Sequence, residues 1–239
     1  MSCSAASEAR CRNLLLATLT NEQYDAIAPR LHTVPLKIKQ VLFERNQPPQ
    51  YVYFPCTCVL SILAYMLNGS AVEVGTVGNE GFIGIEVLAG GEFSTETGVC
   101  QVEGNTLRMT VSDFKEATAG DTPLRRVAQR YMLVYLSLVS QAVACNRLHT
   151  IEERFARWIL MTHDRVEGDH FYLTQEFIAD MLGVHRPSVS LVASAFQQAG
   201  LIRYSRGRMS ILNRQGLEEL ACECYGIARE QVDHLLDTQ

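Results

Sequence analysis

The chain has 239 residues, 47% of them apolar and 20% charged, which is long enough for two small cored domains and too apolar for a disordered polymer. Its net charge of −5 excludes a protein coated in basic surface for indiscriminate nucleic-acid binding. The longest apolar run, Met132 to Cys145, contains Ser137, Ser140 and Gln141 and is too short to span a membrane. Met1 to Arg12 lacks the apolar core of a secretory signal, so the chain is expected in the cytoplasm without a membrane partner.

Two helical patterns come first, Ser7 to Leu16 and Asn21 to Leu31, the second with Thr20 as its N-cap. From Thr33 to Thr110 the residues read as short β runs: Val41 to Glu44, Tyr51 to Phe54, Val59 to Met66, Ala71 to Val77, Thr97 to Val102 and Thr106 to Met109. Pro48-Pro49, Gly78 to Gly81 and Gly90-Gly91 separate them, and Asn68-Gly69 between two apolar runs is the strongest hairpin signal. Such a series of short strands predicts a sandwich or double-sheet jelly roll.

Asp121 to Leu148 reads as one long helix. Leu124, Ala128, Tyr131, Tyr135, Leu138, Ala142 and Cys145 follow the alternating four-and-three spacing of a coiled-coil seam, so this stripe is expected to form a two-fold dimer contact. Thr150 to Glu153 is a Thr-x-x-Glu capping box that starts a new helix and marks a domain boundary near His149. That helix sets Ile151, Phe155, Trp158 and Thr162 on one face, where Trp158 is expected in the core.

The eight cysteines, at positions 3, 11, 56, 58, 100, 145, 222 and 224, contain no C-x-x-C pair and no Cys/His zinc spacing. They are read as free thiols of a reducing compartment. Cys222 and Cys224, two apart on an expected helix, should face away from each other, and neither a metal nor a cofactor is expected. His163 and His170 flank Asp164, Glu167 and Asp169 in what reads as a solvated loop. No nucleophile elbow or phosphate-cradling glycine loop marks an enzyme.

The informative stretch runs from Leu173 to Leu212. Thr174 caps a helix that buries Ile178, Met181 and Leu182, Gly183 ends it, and a second helix follows at once, giving a helix-turn-helix. On the second helix Val189, Val192, Phe196 and Ala199 share one face, while Arg186, Ser190, Leu191, Ser194 and Gln197 lie opposite. Small polar side chains and an arginine near the N-terminus suit major-groove entry, with Arg186 able to donate twice to guanine O6 and N7. Pro187 is tolerated in the first turn. Leu201 to Tyr204 and Met209 to Leu212 then flank Ser205 to Arg208 as a hairpin wing, whose Arg206 and Arg208 can lie along phosphates. From Arg186 to Arg214 five arginines occur and no acid, a local basic footprint on an acidic chain. The DNA-contacting residues expected from this stretch are Thr174, His185, Arg186, Ser188, Ser190, Leu191, Ser194, Arg206 and Arg208.

With Gly81-Phe82-Ile83-Gly84, the long helix and the segment Leu173 to Ser190, nearly the whole chain resembles the Crp/Fnr family of bacterial regulators. The resemblance implies an α+β protein: an N-terminal β-helix or jelly-roll domain like those that bind cyclic nucleotides, a long dimerisation helix, and a winged helix-turn-helix. It implies a homodimeric, sequence-specific transcription regulator that binds double-stranded DNA at a palindromic operator, with RNA polymerase and a small-molecule effector as further partners. The domains expected are 1–120 for the N-terminal helices and β-roll, 121–149 for the long helix, 150–225 for the winged helix-turn-helix and 226–239 for a C-terminal tail.

The departures from the family are specific. Arg186 matches the guanine-reading arginine, but Pro187 stands where a glutamate is usual and Leu191 replaces a second arginine, so operator sequence cannot be inherited. The expected effector pocket comprises Phe82, Gly84, Glu86, Thr95, Glu96 and Thr97. The ribose-binding glutamate would directly follow Gly84, yet Ile85 is there, and Glu86 comes one place late, which on a strand points it to the other face. No arginine stands near Ser94 to Thr97 to hold a cyclic phosphate, and Glu96 would repel one. Cys3 and Cys11 do not supply the family's iron–sulfur cluster. Two alternatives accompany this reading: a cyclic-nucleotide sensor with a rearranged pocket, and a thiol-based redox sensor.

Overall fold

The structure is a computed structural model describing residues 12–237. Cys3, Cys11 and the start of the helix expected from Ser7 lie outside these residues. A short helix, α1 (Leu14–Ala17), is capped by Asn13, whose amide also donates to Pro55 and Gly81 carbonyls. Thr20 and Gln23 form a reciprocal capping box on α2 (Asn21–Asp25). The helical pattern to Leu31 is broken: a 3-10 turn, Ala28–Arg30, takes over where Pro29 removes a backbone donor.

Seven strands follow: β1 (His32–Leu36), β2 (Val41–Phe43), β3 (Tyr51–Pro55), β4 (Val59–Tyr65), β5 (Ala71–Val77), β6 (Thr97–Val102) and β7 (Gly104–Thr110), with helix α3 (Ile85–Leu88) between β5 and β6. They pair antiparallel in two sheets, ordered β1-β7-β3 and β2-β6-β4-β5. The Asn68-Gly69 hairpin joins β4 to β5, with Gly69 at φ 82° and the Asn68 side chain accepting from the Ser70 amide. Strand β1 has no counterpart among the sequence runs; Pro35 lies within it, at the edge of its sheet, where no ladder donor is required. In the β-roll core Phe82 packs on Phe54, Phe114 and Tyr131, at centroid separations of 5.7, 5.8 and 5.4 Å.

Helix α4 (Val111–Ala117) leads into the long helix α5 (Pro123–Leu148), which Thr122 caps. Five of the seven residues of the stripe expected to face a second subunit pack on this subunit instead, while Leu138 and Ala142 are half-buried. Leu124, Ala128 and Tyr131 are fully buried in the β-roll core, Tyr135 packs against that core, and Cys145 is buried beside Cys222 and Cys224. Two glycines allow the close approach: a Cβ at Gly81 would strike the Tyr131 ring, and one at Gly75 the Tyr135 ring. Among the exposed residues of α5, Leu133, Leu136, Ser140 and Val143 form a stripe spaced three, four and three.

Thr150 and Glu153 cap α6 (Ile151–His163), the first helix of the C-terminal half. There follow β8 (His170–Tyr172), α7 (Gln175–Leu182), α8 (Arg186–Gln198), β9 (Ile202–Ser205), β10 (Arg208–Ile211), α9 (Arg214–Leu220) and α10 (Cys224–Asp237). The three strands form a small antiparallel sheet, β8-β10-β9. The expected tail after residue 225 is helix α10, which packs on α5 and α6 and sends Leu235 into the β-roll core. Cys222 precedes this helix and Cys224 opens it, so the opposite-faces argument for that pair does not hold.

The two halves share a buried interface. Val59, Leu63, Val99 and Val102 of the β-roll belong to the same apolar cluster as Phe155, Trp158 and Ile159 of α6. Arg165 donates to Glu80 through Nε at 3.0 and 3.2 Å and through Nη2 at 2.9 Å, with side chains only 8% and 3% exposed. Burial works against the Arg165 charge, but the charge and hydrogen bonds of Glu80, with Tyr131 and Asp164, together hold the guanidinium pKa above its ordinary value.

A second polar group at this interface is Glu73. It accepts from Trp158 Nε1 at 2.9 Å and lies 2.6 Å from Thr76 Oγ1 and 2.5 Å from Ser61 Oγ. Ser61 Oγ also reaches Gln101 Oε1 at 2.8 Å, and Gln101 donates to Thr162 of α6 at 2.9 Å. The single Ser61 proton cannot serve both acceptors, so a protonated Glu73 that donates to Ser61 satisfies the whole chain. Burial indeed raises the Glu73 pKa, against hydrogen bonds from Ser61, Thr76 and Trp158 and the charge of Arg157. A raised carboxyl pKa means that the folded state holds a proton the unfolded chain gives up. Stability from this site is therefore full below the ordinary value of 4.5 and falls as pH rises from there through the raised folded value. Glu73→Gln should remove that decline while keeping the fold, as urea unfolding across the pH range would measure; an unchanged decline in the variant would refute the assignment.

Candidate nucleic-acid interface

The Thr174 hydroxyl accepts from the Phe177 amide and so starts α7. Gly183, at φ 62°, ends it in the left-handed conformation, and α8 begins three residues later with Pro187 in its first turn. Ile178, Met181 and Leu182 of α7 and Val189, Val192 and Phe196 of α8 are buried together with Phe155, whose ring meets Phe196 edge-on at 5.3 Å. Ala199 is not part of that face: it is the exposed C-cap of α8. The opposite face presents Arg186, Leu191 and Ser194 to solvent, with Leu191 73% exposed.

The wing is a two-residue hairpin. Ser205 pairs with Arg208 across Arg206 and Gly207, whose φ values of 51° and 81° are those of a type I′ turn. A positive φ is unusual for arginine, and here it sets Arg206 at the tip, lining one groove with Arg186, Ser190, Ser194 and Thr174. His185, the N-cap of α8, and Ser188 lie at the N-terminal end of that helix, His185 exposed and Ser188 half-buried.

Arg208 sits apart from this group. It points to the other face of the wing, into a hollow shared with Tyr172, His170 and Glu103. The groove also holds residues beyond the expected DNA-contacting set. Gln175 accepts from Ser190 Oγ at 2.8 Å, Gln197 accepts from the Tyr204 amide at 2.9 Å, and Glu176 brings a carboxylate to the rim. Gln197 was visible on the exposed face of α8, but its bond to the wing depends on a strand that folds back seven residues later.

His163 and His170 do not converge. His163 Nε2 lies 2.9 Å from Asp169 and its Nδ1 2.9 Å from Arg214, whereas His170 bonds Ser210.

In the β-roll, Phe82, Gly84, Glu86, Thr95 and Glu96 line one cavity of about 210 Å³ together with Tyr135 of α5. Thr97 stays outside it, buried, with its hydroxyl accepting from the Arg45 amide. The strand expected to turn Glu86 away is absent. Gly84, at φ 105°, starts α3, and on that helix Glu86 reaches the cavity and accepts from Ser94 at 2.9 Å. Glu96 leaves Oε2 buried without a partner, and burial raises its pKa against the opposing charge of Arg45. Burial, then the charges of Glu73, Glu96 and Glu86, hold the Tyr135 hydroxyl well above its ordinary pKa. The lining contains two carboxylates and no basic side chain.

Residues 153–220 match the family model of the Crp-like helix-turn-helix domain. Among solved structures the chain is similar to FixK2 from Bradyrhizobium japonicum, with a TM-score of 0.68 at 17% identity, covering 80% of this chain and 98% of that one. It is similar to TTHB099, a CRP-family transcriptional regulator from Thermus thermophilus, with a TM-score of 0.67 at 20% identity over 79% and 96% of the two chains. A crp/fnr-family protein from Eubacterium rectale gives 0.64 at 18% identity over 86% and 96%. No curated protein sequence matches the chain. At these identities the structural likeness concerns the fold, and it extends over the β-roll, the long helix and the DNA-binding half together. The fold is therefore the one shared by these Crp/Fnr-family structures, and residues 153–220 form a Crp-like helix-turn-helix domain.

Proposed function

We propose that the protein is a homodimeric transcription regulator that binds double-stranded DNA sequence-selectively, acting in the cytoplasm and not as an enzyme. The observation that carries this reading is the groove between α8 and the wing. There Arg186 and Arg206 face the same side as Ser190 and Ser194 on a chain whose net charge is negative. Short side chains let α8 approach base edges, Arg186 offers a bidentate donor for guanine, and Arg206 offers a phosphate contact.

Arg186→Ala should cost about 1–3 kcal/mol of specific binding and relax one base position. Arg206→Asn, which tolerates the same positive φ, should weaken all sequences alike and lower the salt slope by about 1. Gel retardation of promoter fragments against random DNA over a salt series measures both. Equal losses on specific and random DNA for Arg186→Ala would sink the base-reading role, and absence of any sequence-selective retardation would sink the function.

A two-fold dimer fits a palindromic operator, because two α8 helices must reach half-sites about 34–36 Å apart. The stripe for that contact is Leu133, Leu136, Ser140 and Val143; the three apolar members are 66%, 62% and 67% exposed, and the spacing repeats every seven residues. Leu136→Arg should convert dimer to monomer in sedimentation equilibrium without loss of helix content; a wild-type monomer would refute the contact.

The effector cavity is read as a sensor that does not take a cyclic nucleotide, since a phosphate would meet Glu86 and Glu96 with no basic side chain in the lining. Calorimetry with cyclic AMP and cyclic GMP should give no saturable heat at micromolar ligand, and such heat would overturn this reading.

A further inference from the structure

Four side chains from distant parts of the sequence meet where α5 ends. Cys145 lies in the last turn of α5 and His149 is its C-cap, four residues apart and hence on one face. Cys222 and Cys224 come from the entry to α10. Their ligand atoms, three Sγ and one imidazole nitrogen, all lie within 4.8 Å of one another. Cys145 Sγ is 3.5 Å from Cys222 Sγ, and Cys224 Sγ is 3.6 Å from His149 Nδ1.

These separations suit a metal and not a disulfide. A sulfur–sulfur bond is about 2.05 Å long. A tetrahedral ion with metal–sulfur bonds of about 2.3 Å holds its sulfurs roughly 3.8 Å apart, and a slightly shorter metal–nitrogen bond draws the imidazole closer. The surroundings point the same way. His149 Nε2 lies 3.1 Å from the Glu223 carboxylate, which fixes the ring with Nδ1 directed at the thiols; metal-bound histidines almost always have such an orienting partner, a carboxylate, carbonyl or water. Gln141 Nε2 donates to Cys224 Sγ at 3.0 Å, as an amide does to a ligating sulfur. Two guanidinium groups, Arg154 and Arg157, are each 8% exposed with an Nε that has no partner, and both act electrostatically on Cys145. Three thiolates and a neutral imidazole around a divalent ion leave one negative charge, which these two arginines would offset. The thiols are buried and the imidazole is only 15% exposed, so no coordination position is left open to solvent chemistry.

We infer that Cys145, His149, Cys222 and Cys224 form a structural Cys3His site for a tetrahedral divalent ion of the zinc class, which ties α10 to the end of α5. Its place is the junction at Thr150, where the long helix gives way to the DNA-binding half.

Cobalt(II) titration of the full chain, purified under reducing conditions and stripped with chelator, tests this directly. The expected result is one cobalt per chain, with sulfur-to-cobalt charge-transfer absorption and intense tetrahedral visible bands that zinc(II) abolishes. Zinc(II) should also raise the melting temperature. Cys145→Ser and His149→Gln should each lose or shift the bands, and Glu223→Gln, which alters no ligand, should keep the bands and weaken affinity ten- to a hundredfold. Should a cysteine variant fail to fold, the Glu223→Gln affinity and the wild-type zinc-dependent melting temperature carry the decision. Wild-type protein with native helix content and no thiolate band would overturn the site, as would bands that persist in Cys145→Ser/Cys222→Ser. A Cys145–Cys222 disulfide found by peptide mapping of metal-free protein would overturn it too.

Discussion

The Glu80 carboxylate and the Arg165 guanidinium are almost wholly removed from water, and neither charge could remain there without the other. Leaving one of a buried pair unmatched costs about 3–5 kcal/mol, far more than the pair itself contributes over a well-packed apolar contact. The pair therefore works as a specificity device: it fixes how the β-roll and the DNA-binding half sit together. Glu80 lies in the turn just after β5, directly before the Gly81-Phe82 step that places the aromatic core, so one short segment serves both the interior of the β-roll and its outer junction. The chain from Glu73 through Ser61 and Gln101 to Thr162 reinforces the same junction with neutral hydrogen bonds.

Electrostatics divide the molecule by task. The cavity in the β-roll is walled by Glu86 and Glu96, while the groove under the wing gathers Arg186 and Arg206. The two sites are linked by a single element, because Tyr135 of α5 lines the cavity and α5 runs on to the boundary at Thr150. A ligand that displaces the Tyr135 ring would act on α5 without any need to reach the DNA-binding half.

Local rules carried far in the sequence. Caps at Thr20, Thr150 and Thr174, the Asn68-Gly69 hairpin, the left-handed Gly183 and the Arg206-Gly207 wing are all short-range chemistry, and each is where the sequence places it. What was not legible depends on which partner a face meets. The α5 stripe has the right period for a seam, yet a period cannot say whether the partner is another subunit or the chain's own β-roll; the tyrosines fit glycine gaps at Gly75 and Gly81, which only the folded chain brings beside them. Glu86 was misplaced because a strand was carried past Gly84, where the backbone turns into a helix. The cysteine cluster is not legible from spacing, since its two halves are some 75 residues apart and Cys222 lies just outside α10.

The two tyrosine rings seated against Gly75 and Gly81 have a mechanical consequence. A helix that rests on a smooth surface can slide by any small amount, but one whose rings occupy two notches cannot turn part-way without driving carbon into backbone. Movement of α5 would then be a step between two arrangements, seated and unseated, and not a continuous slide. Two absent methyl groups would thus turn a sliding contact into a choice between two seats.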